Sequence, residues 1–201
     1  MQMMRYDEQT VIVCPEAYLL LKSELTPYGI KVIKGDNNPS PIYPDNILYN
    51  AVMVNQHLIH LLKKTDSRII QQINKDGWHT MPVKQGYSKC SILPIGDQAM
   101  ITADKHISIK ASSKGIDCLL IRPGFIGLNG YEYGFIGGAA GCMDEQVFLT
   151  GHLDNHPDKA EIIKFIKKHG KEIIYLTQKP AYDYGTIILL KRRNHEESIF
   201  S

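Results

Sequence analysis

Much is missing from this 201-residue chain, and each absence removes a class of function. No apolar run approaches the roughly 20 residues that a membrane-spanning helix needs. The first residues, Met1 to Asp7, lack the apolar core of a secretory signal, so a cytoplasmic protein is expected. Net charge is only +2, which gives no electrostatic case for nucleic acid or an anionic membrane surface. The basic run Lys191-Arg192-Arg193 is short and reads as a solvated tail. Cys14, Cys90, Cys118 and Cys142 stand far apart with no Cys-x-x-Cys, the usage of a reduced, cytosolic chain without disulfides. Cys118, in the apolar run Ile116 to Ile121, is expected to be buried.

Cofactor fingerprints are lacking too. Gly134-Phe-Ile-Gly137-Gly138-Ala-Ala-Gly141 is broken by Ile136 as a dinucleotide motif and has no phosphate-loop Lys. His57 and His60 lie three apart on an expected strand, where they face opposite sides, and His152 to His156 spans a loop. No cofactor and no metal is therefore expected.

What is present is a repeat. Gln9, Gln56, Gln98 and Gln146 each follow a polar turn residue and precede an apolar run, at spacings of 47, 42 and 48 residues. Each run leads to a helical stretch, then to Gly29, Gly77, Gly115 or Gly170, then to a second apolar run. A glycine there suits the left-handed residue that ends a helix. The second runs are Ile30–Ile33, Trp78–Val83, Ile116–Ile121 and Lys171–Leu176. Three units have an apolar run before the Gln, within 47–53, 90–95 and 134–138. The unit is thus strand, strand, helix, strand, an α/β class of fold. On this reading the first unit lacks its leading strand. The economical solution is that residues 184–190 supply it by pairing with residues 9–14, closing a ring and leaving no sheet edge exposed.

Units of this kind, closed into an α/β-propeller, resemble the pentein superfamily of amidinotransferases and arginine or agmatine deiminases, which also includes the ribosomal subunit anti-association factor. The whole chain, 1–201, reads as one such domain, similar to uncharacterised divergent members. The local likeness lies in Phe135-Ile136-Gly137-Gly138, in Ile101-Thr102-Ala103-Asp104 and in Gly151-His152-Leu153-Asp154. It implies a polar axial pocket for a guanidino or amino-acid-like ligand. It also implies departures. Ala139 stands where the deiminases place an Asp, Ala103 where they place an Arg, and no Cys follows Cys142. Four units are counted, whereas the superfamily has five.

Two constellations carry chemistry in principle. Cys142, His152 and Asp154 offer a nucleophile, a base and an orienting carboxylate, set against the simpler reading of a buried Cys and a helix-entry loop. Lys89, Cys90, Asp104, Gly137, Gly138 and Asp183 are expected to line the axial pocket, with Asp104 equally suited to cap a helix. Three functions follow: a ligand-binding protein without deiminase activity, a Cys/His hydrolase or amidinotransferase-like enzyme, or a ribosome- or protein-binding module. The expected partner is a small polar molecule.

Overall fold

The computed structural model describes residues 1–193. Four three-stranded sheets succeed one another, each with the order leading strand, central strand, third strand. The first holds β1 (Met3–Arg5), β2 (Thr10–Val13) and β3 (Lys31–Lys34); the second β4 (Val52–Val54), β5 (His57–His60) and β6 (His79–Pro82). The third holds β7 (Ile92–Pro94), β8 (Ala99–Thr102) and β9 (Asp117–Leu120); the fourth β10 (Ala140–Met143), β11 (Gln146–Leu149) and β12 (Glu172–Tyr175). Leading and central strands pair antiparallel, and central and third strands parallel. A parallel return needs a crossover, and a helix supplies it each time. These helices are α1 (Pro15–Leu25), α2 (Ser67–Lys75), α4 (Lys105–Ser113) and α5 (Lys159–Lys168), while α3 (Ser88–Ser91) is a single turn before β7.

The repeated glycines do what their position demands. Gly29, Gly77, Gly115 and Gly170 all have φ between 68° and 75°, the left-handed region where a side chain is strained. The recurring Gln marks the hairpin. In the second unit Asn55 and Gln56 form a two-residue turn between paired Val54 and His57, with φ of 48° and 58°.

Three core clusters run from sheet to sheet, and a fourth, Val11, Val13 and Ile30, lies within the first unit. Met4, Ile12, Tyr49, Leu58 and Ile69 join the first unit to the second. Val52, Ile59, Ile92, Met100 and Ile107 join the second to the third. Leu93, Ile101, Val147, Leu149 and Ile162 join the third to the fourth. A three-stranded sheet alone buries too little apolar surface to hold, so each unit depends on its neighbours.

Four expectations are corrected. The first unit has its own leading strand, β1, so β2 is flanked by β1 and β3 and does not pair with residues 184–190. Met3-Met4-Arg5 is too short a run to stand out beside longer ones. Ile187 instead lies against the fourth sheet, where a Cβ on Gly141 would sit 2.7 Å from its carbonyl oxygen, and Leu190 packs on Val11, Val13 and Ile30 of the first unit. Second, Lys191 to Arg193 is no free tail. The Lys191 N–H donates to Glu8 O at 2.7 Å, its ammonium sits 3.1 Å from Asp144, and the Arg193 N–H donates to Tyr28 O. The C-terminal segment therefore ties the fourth unit to the first, helped by Arg5, whose guanidinium donates to Cys142 O at 3.1 Å. Third, the fourth leading strand is Ala140–Met143, not 134–138, which forms the turns that precede it. The four cysteines are free, and Cys118 is half-buried rather than buried.

Candidate functional site

In every sheet the start of the leading strand pairs with the end of the central one: Met3 with Val13, Val52 with Ile59, Ile92 with Thr102, Ala140 with Leu149. The residues that precede leading strands and open helices therefore gather at one end of the sheets. This end holds Asn50, Lys89, Cys90, Gly137, Gly138 and Asp183, linked as follows.

Asn50 is the hub. Its Oδ1 accepts from the backbone N–H of Lys89 at 2.9 Å and of Cys90 at 3.3 Å, and its Nδ2 donates to Cys90 Sγ at 3.2 Å. The Cys90 thiol donates to Gly185 O at 3.0 Å. Burial pushes this thiol above its ordinary pKa, and the Asn50 hydrogen bond and nearby Lys89 only partly oppose it. Lys89 keeps some solvent exposure, but its ammonium is closely packed and donates to Gly137 O at 3.2 Å. Desolvation brings the Lys89 pKa down to about 8, with Cys90 and Asp183 pulling the other way. Asp183, 5% exposed, accepts from the Phe135 N–H at 2.9 Å and the Gly185 N–H at 2.7 Å. Lys89, Cys90, Gly137, Gly138 and Asp183 do meet, but they interlock as a packed plug.

Asp104 is not part of this plug and takes the role of helix cap. Its Oδ1 accepts from the His106 and Ile107 N–H groups at 2.9 and 3.0 Å, capping α4. It also lines a cavity of about 160 Å³ shared with Ser91, Arg122, Phe135 and His156.

Cys142, His152 and Asp154 are not brought together. Cys142 sits near the far end of β10, opposite Val147, and burial raises its thiol pKa. His152 comes after β11 has ended, at the other end of the hairpin. Its ring stacks on Tyr175 at 4.2 Å and its Nε2 meets Gln178 Oε1 at 3.1 Å. Asp154 is exposed and ion-paired with Lys159 at 2.6 Å. His152 lies five residues beyond Val147, past the end of β11 at Leu149 and the bends at Thr150 and Gly151. No thiol–imidazole couple exists there.

Among the described residues no group of three His, Cys, Asp or Glu side chains is arranged to hold a metal. His60 bonds instead to Thr65 Oγ1 at 2.7 Å and Gly86 O at 3.0 Å.

A wider cleft, about 560 Å³, opens beside the plug between the loop 124–132 and the segment 177–184. Glu132, Thr150, Asn155, Lys179, Tyr182 and Tyr184 line it. A bridge between Gly127 and Tyr182 fixes its walls, and Thr150 Oγ1 donates to Tyr182 O at 2.8 Å. Sequence reasoning misses Glu132 and Lys179. It also misses Asn50, whose one signal is a polar residue inside an apolar run.

Comparison with known proteins agrees with this architecture. The model of the Family of unknown function (DUF6873) matches residues 1–188. No curated protein matches the sequence. Among solved structures, a dimethylarginine dimethylaminohydrolase adduct with 4-chloro-2-hydroxymethylpyridine superposes with TM-score 0.51 at 12% identity, over 87% of this chain and 68% of that one. The enzyme from Pseudomonas aeruginosa, as a mutant complexed with citrulline, gives 0.52 at 12% identity, over 87% and 66%. An amidinotransferase from Microseira wollei in the saxitoxin biosynthetic pathway gives 0.52 at 15% identity, over 87% and 61%. These are pentein-superfamily structures, and this chain spans 61–68% of their length.

Proposed function

The chain belongs to the Family of unknown function (DUF6873) and has the pentein fold, and on that premise we propose that it binds a small amino-acid-like or guanidino molecule without deiminating it. The observation that carries this reading is the cleft beside the plug. Its volume, about 560 Å³, lies in the range of small-ligand sites. Lys179 and Glu132 offer opposite charges to a zwitterion's carboxylate and its amine or guanidinium, and Tyr182 and Tyr184 offer flat apolar surface. A relative of the same fold is complexed with citrulline, which supports an amino-acid-like ligand.

The absence of turnover rests on the thiols. Covalent deimination needs a thiolate delivered to the guanidinium carbon and a base to manage the proton. The thiol at the plug, Cys90, has an amide and a carbonyl as partners instead of an imidazole, and its pKa is raised. Cys142 and His152 stand at opposite ends of a hairpin.

Two measurements test this. Calorimetry with arginine, agmatine and citrulline is expected to show saturable binding that Lys179→Ala and Glu132→Ala weaken. An assay for ureido product from arginine or agmatine is expected to stay at background. Turnover that disappears in Cys90→Ala or Cys142→Ala would overturn the second half, and no binding of any of the three would overturn the first.

A further inference from the structure

Two histidines stand side by side on the second sheet. His57 and His79 are register partners in the parallel pair of β5 and β6, so their side chains leave the same face of the sheet. Their ring centres lie 5.4 Å apart, with the planes tilted by 44°. His57 is half-buried and His79 exposed, so an ion in solution can reach both.

The repeat does not call for imidazoles at this position. The same register position holds Thr10 and Lys31 in the first sheet, Ala99 and Asp117 in the third, and Gln146 and Glu172 in the fourth. The pair is therefore peculiar to the second unit.

The backbone of one turn holds both residues in place. Asn55 and Gln56 form the tight turn into β5. Asn55 O lies 2.7 Å from His57 Nδ1. A carbonyl oxygen only accepts, so Nδ1 carries the hydrogen, and Nε2 of the neutral ring keeps its lone pair. Histidines that ligate metals usually make this kind of bond through their other nitrogen, which fixes the tautomer and the ring direction. Gln56 O accepts from the His79 N–H at 2.9 Å, so the same turn fastens the start of β6 beside His57.

The spacing suits one tetrahedral ion. With Zn–N bonds of about 2.0–2.1 Å, two imidazoles at the tetrahedral angle have their centres about 5 Å apart. Neighbouring ligands of a square-planar ion would bring the rings to about 4.5 Å.

We propose that His57 and His79 form a two-histidine site for a tetrahedral, imidazole-preferring dication of the Zn2+ class, with water in the remaining positions. His57 contributes its bare Nε2, and His79 a ring nitrogen. Hard ions such as Mg2+, which take oxygen ligands, are not held.

The test is a Zn2+ titration of the untagged full-length protein, read by calorimetry and by NMR of the imidazole nitrogens. One equivalent is expected to shift the ring nitrogens of His57 and His79 together, while Mg2+ shifts neither. His57→Gln and His79→Gln should each weaken this binding at least about tenfold, since even the outer partners of metal ligands are worth 10- to 100-fold. His106→Gln alters an exposed histidine on α4 and should change nothing. Should His57→Gln fail to fold without its bond to Asn55, His79→Gln decides alone. Shifts at one ring only, or unchanged affinity in the variant that folds, would overturn the proposal. So would Zn2+ effects confined to the cysteines, or no ring shift up to about 1 mM Zn2+. Arginine, agmatine and citrulline results at Glu132 and Lys179 bear on the cleft alone.

Discussion

A Cβ on Gly138 would lie 1.9 Å from Asp183 Oδ1 and 2.2 Å from its Cγ. The absence of a side chain at Gly138 is therefore what lets the Asp183 carboxylate reach the Phe135 and Gly185 N–H groups. Gly138→Ala is expected to expel Asp183 and destabilise the protein by about 3 kcal/mol, two lost charge-assisted hydrogen bonds plus overpacking. Urea unfolding measures this. A loss under about 1 kcal/mol would mean that the carboxylate moves aside freely.

That pair also shows what the sequence discloses and what it withholds. Gly137-Gly138 and Asp183 are visible in the sequence as candidates for lining a pocket. Their meeting is not visible, because 45 residues separate Gly138 from Asp183 and no periodicity links them. The helices and hairpins are legible because local chemistry makes them: Pro15 opens α1, Asp66 and Asp104 cap α2 and α4, and four glycines close the turns. The first leading strand is illegible because three residues carry no pattern. Cys142, His152 and Asp154 mislead because closeness along a hairpin is not closeness in space when the register sets them at its two ends. His156 is legible only as a loop residue, since its burial depends on what packs around it.

The thiols should be sluggish. Burial raises the pKa of Cys90, Cys118 and Cys142 alike. Since the thiolate is the reactive form, native protein at pH 7.5 should react with iodoacetamide more slowly than free cysteine. Half-buried Cys118 and Cys142 should label before buried Cys14 and Cys90. Mass spectrometry of a time course reads the order, and early modification of Cys90 would contradict the closed plug.

His60 should make the fold acid-sensitive before the carboxylates do. Burial lowers its pKa from 6.5 to about 4, against a smaller raising effect of its bond to Gly86. Between pH 6.5 and 4 the unfolded chain takes up a proton that the folded imidazole refuses. Stability is therefore full above 6.5 and falls as pH drops through this window, by up to about 3 kcal/mol. Urea midpoints from pH 7.5 to 4 measure the slope. His60→Gln should remove most of it, and an unchanged slope would assign the effect elsewhere.

Asp66 joins two units and should be the costliest carboxylate to lose. It is 1% exposed. It accepts from the Arg68 N–H at 3.0 Å, which caps α2, and from the Asn37 N–H at 2.9 Å and Asn37 Nδ2 at 3.1 Å. The Asp36 N–H approaches both of its oxygens at 3.2 Å. The segment after β3 is thereby fastened to the start of α2, and Tyr49 strengthens the junction by donating to Asn37 O at 2.7 Å. Removing the carboxylate leaves several donors unpaired in a site with little room for water. Asp66→Ala is expected to cost about 4 kcal/mol, counting a lost cap of about 1 kcal/mol and two or more orphaned N–H groups at 1–3 kcal/mol each. Asp66→Asn keeps one acceptor oxygen of the same shape and should cost about half as much. Urea unfolding gives both values, and hydrogen exchange at the Asn37 amide locates the damage. Equal losses in the two variants would show that packing rather than hydrogen bonding holds the junction. Fast exchange at Asn37 in the unaltered protein would show that the segment after β3 is not fastened there at all.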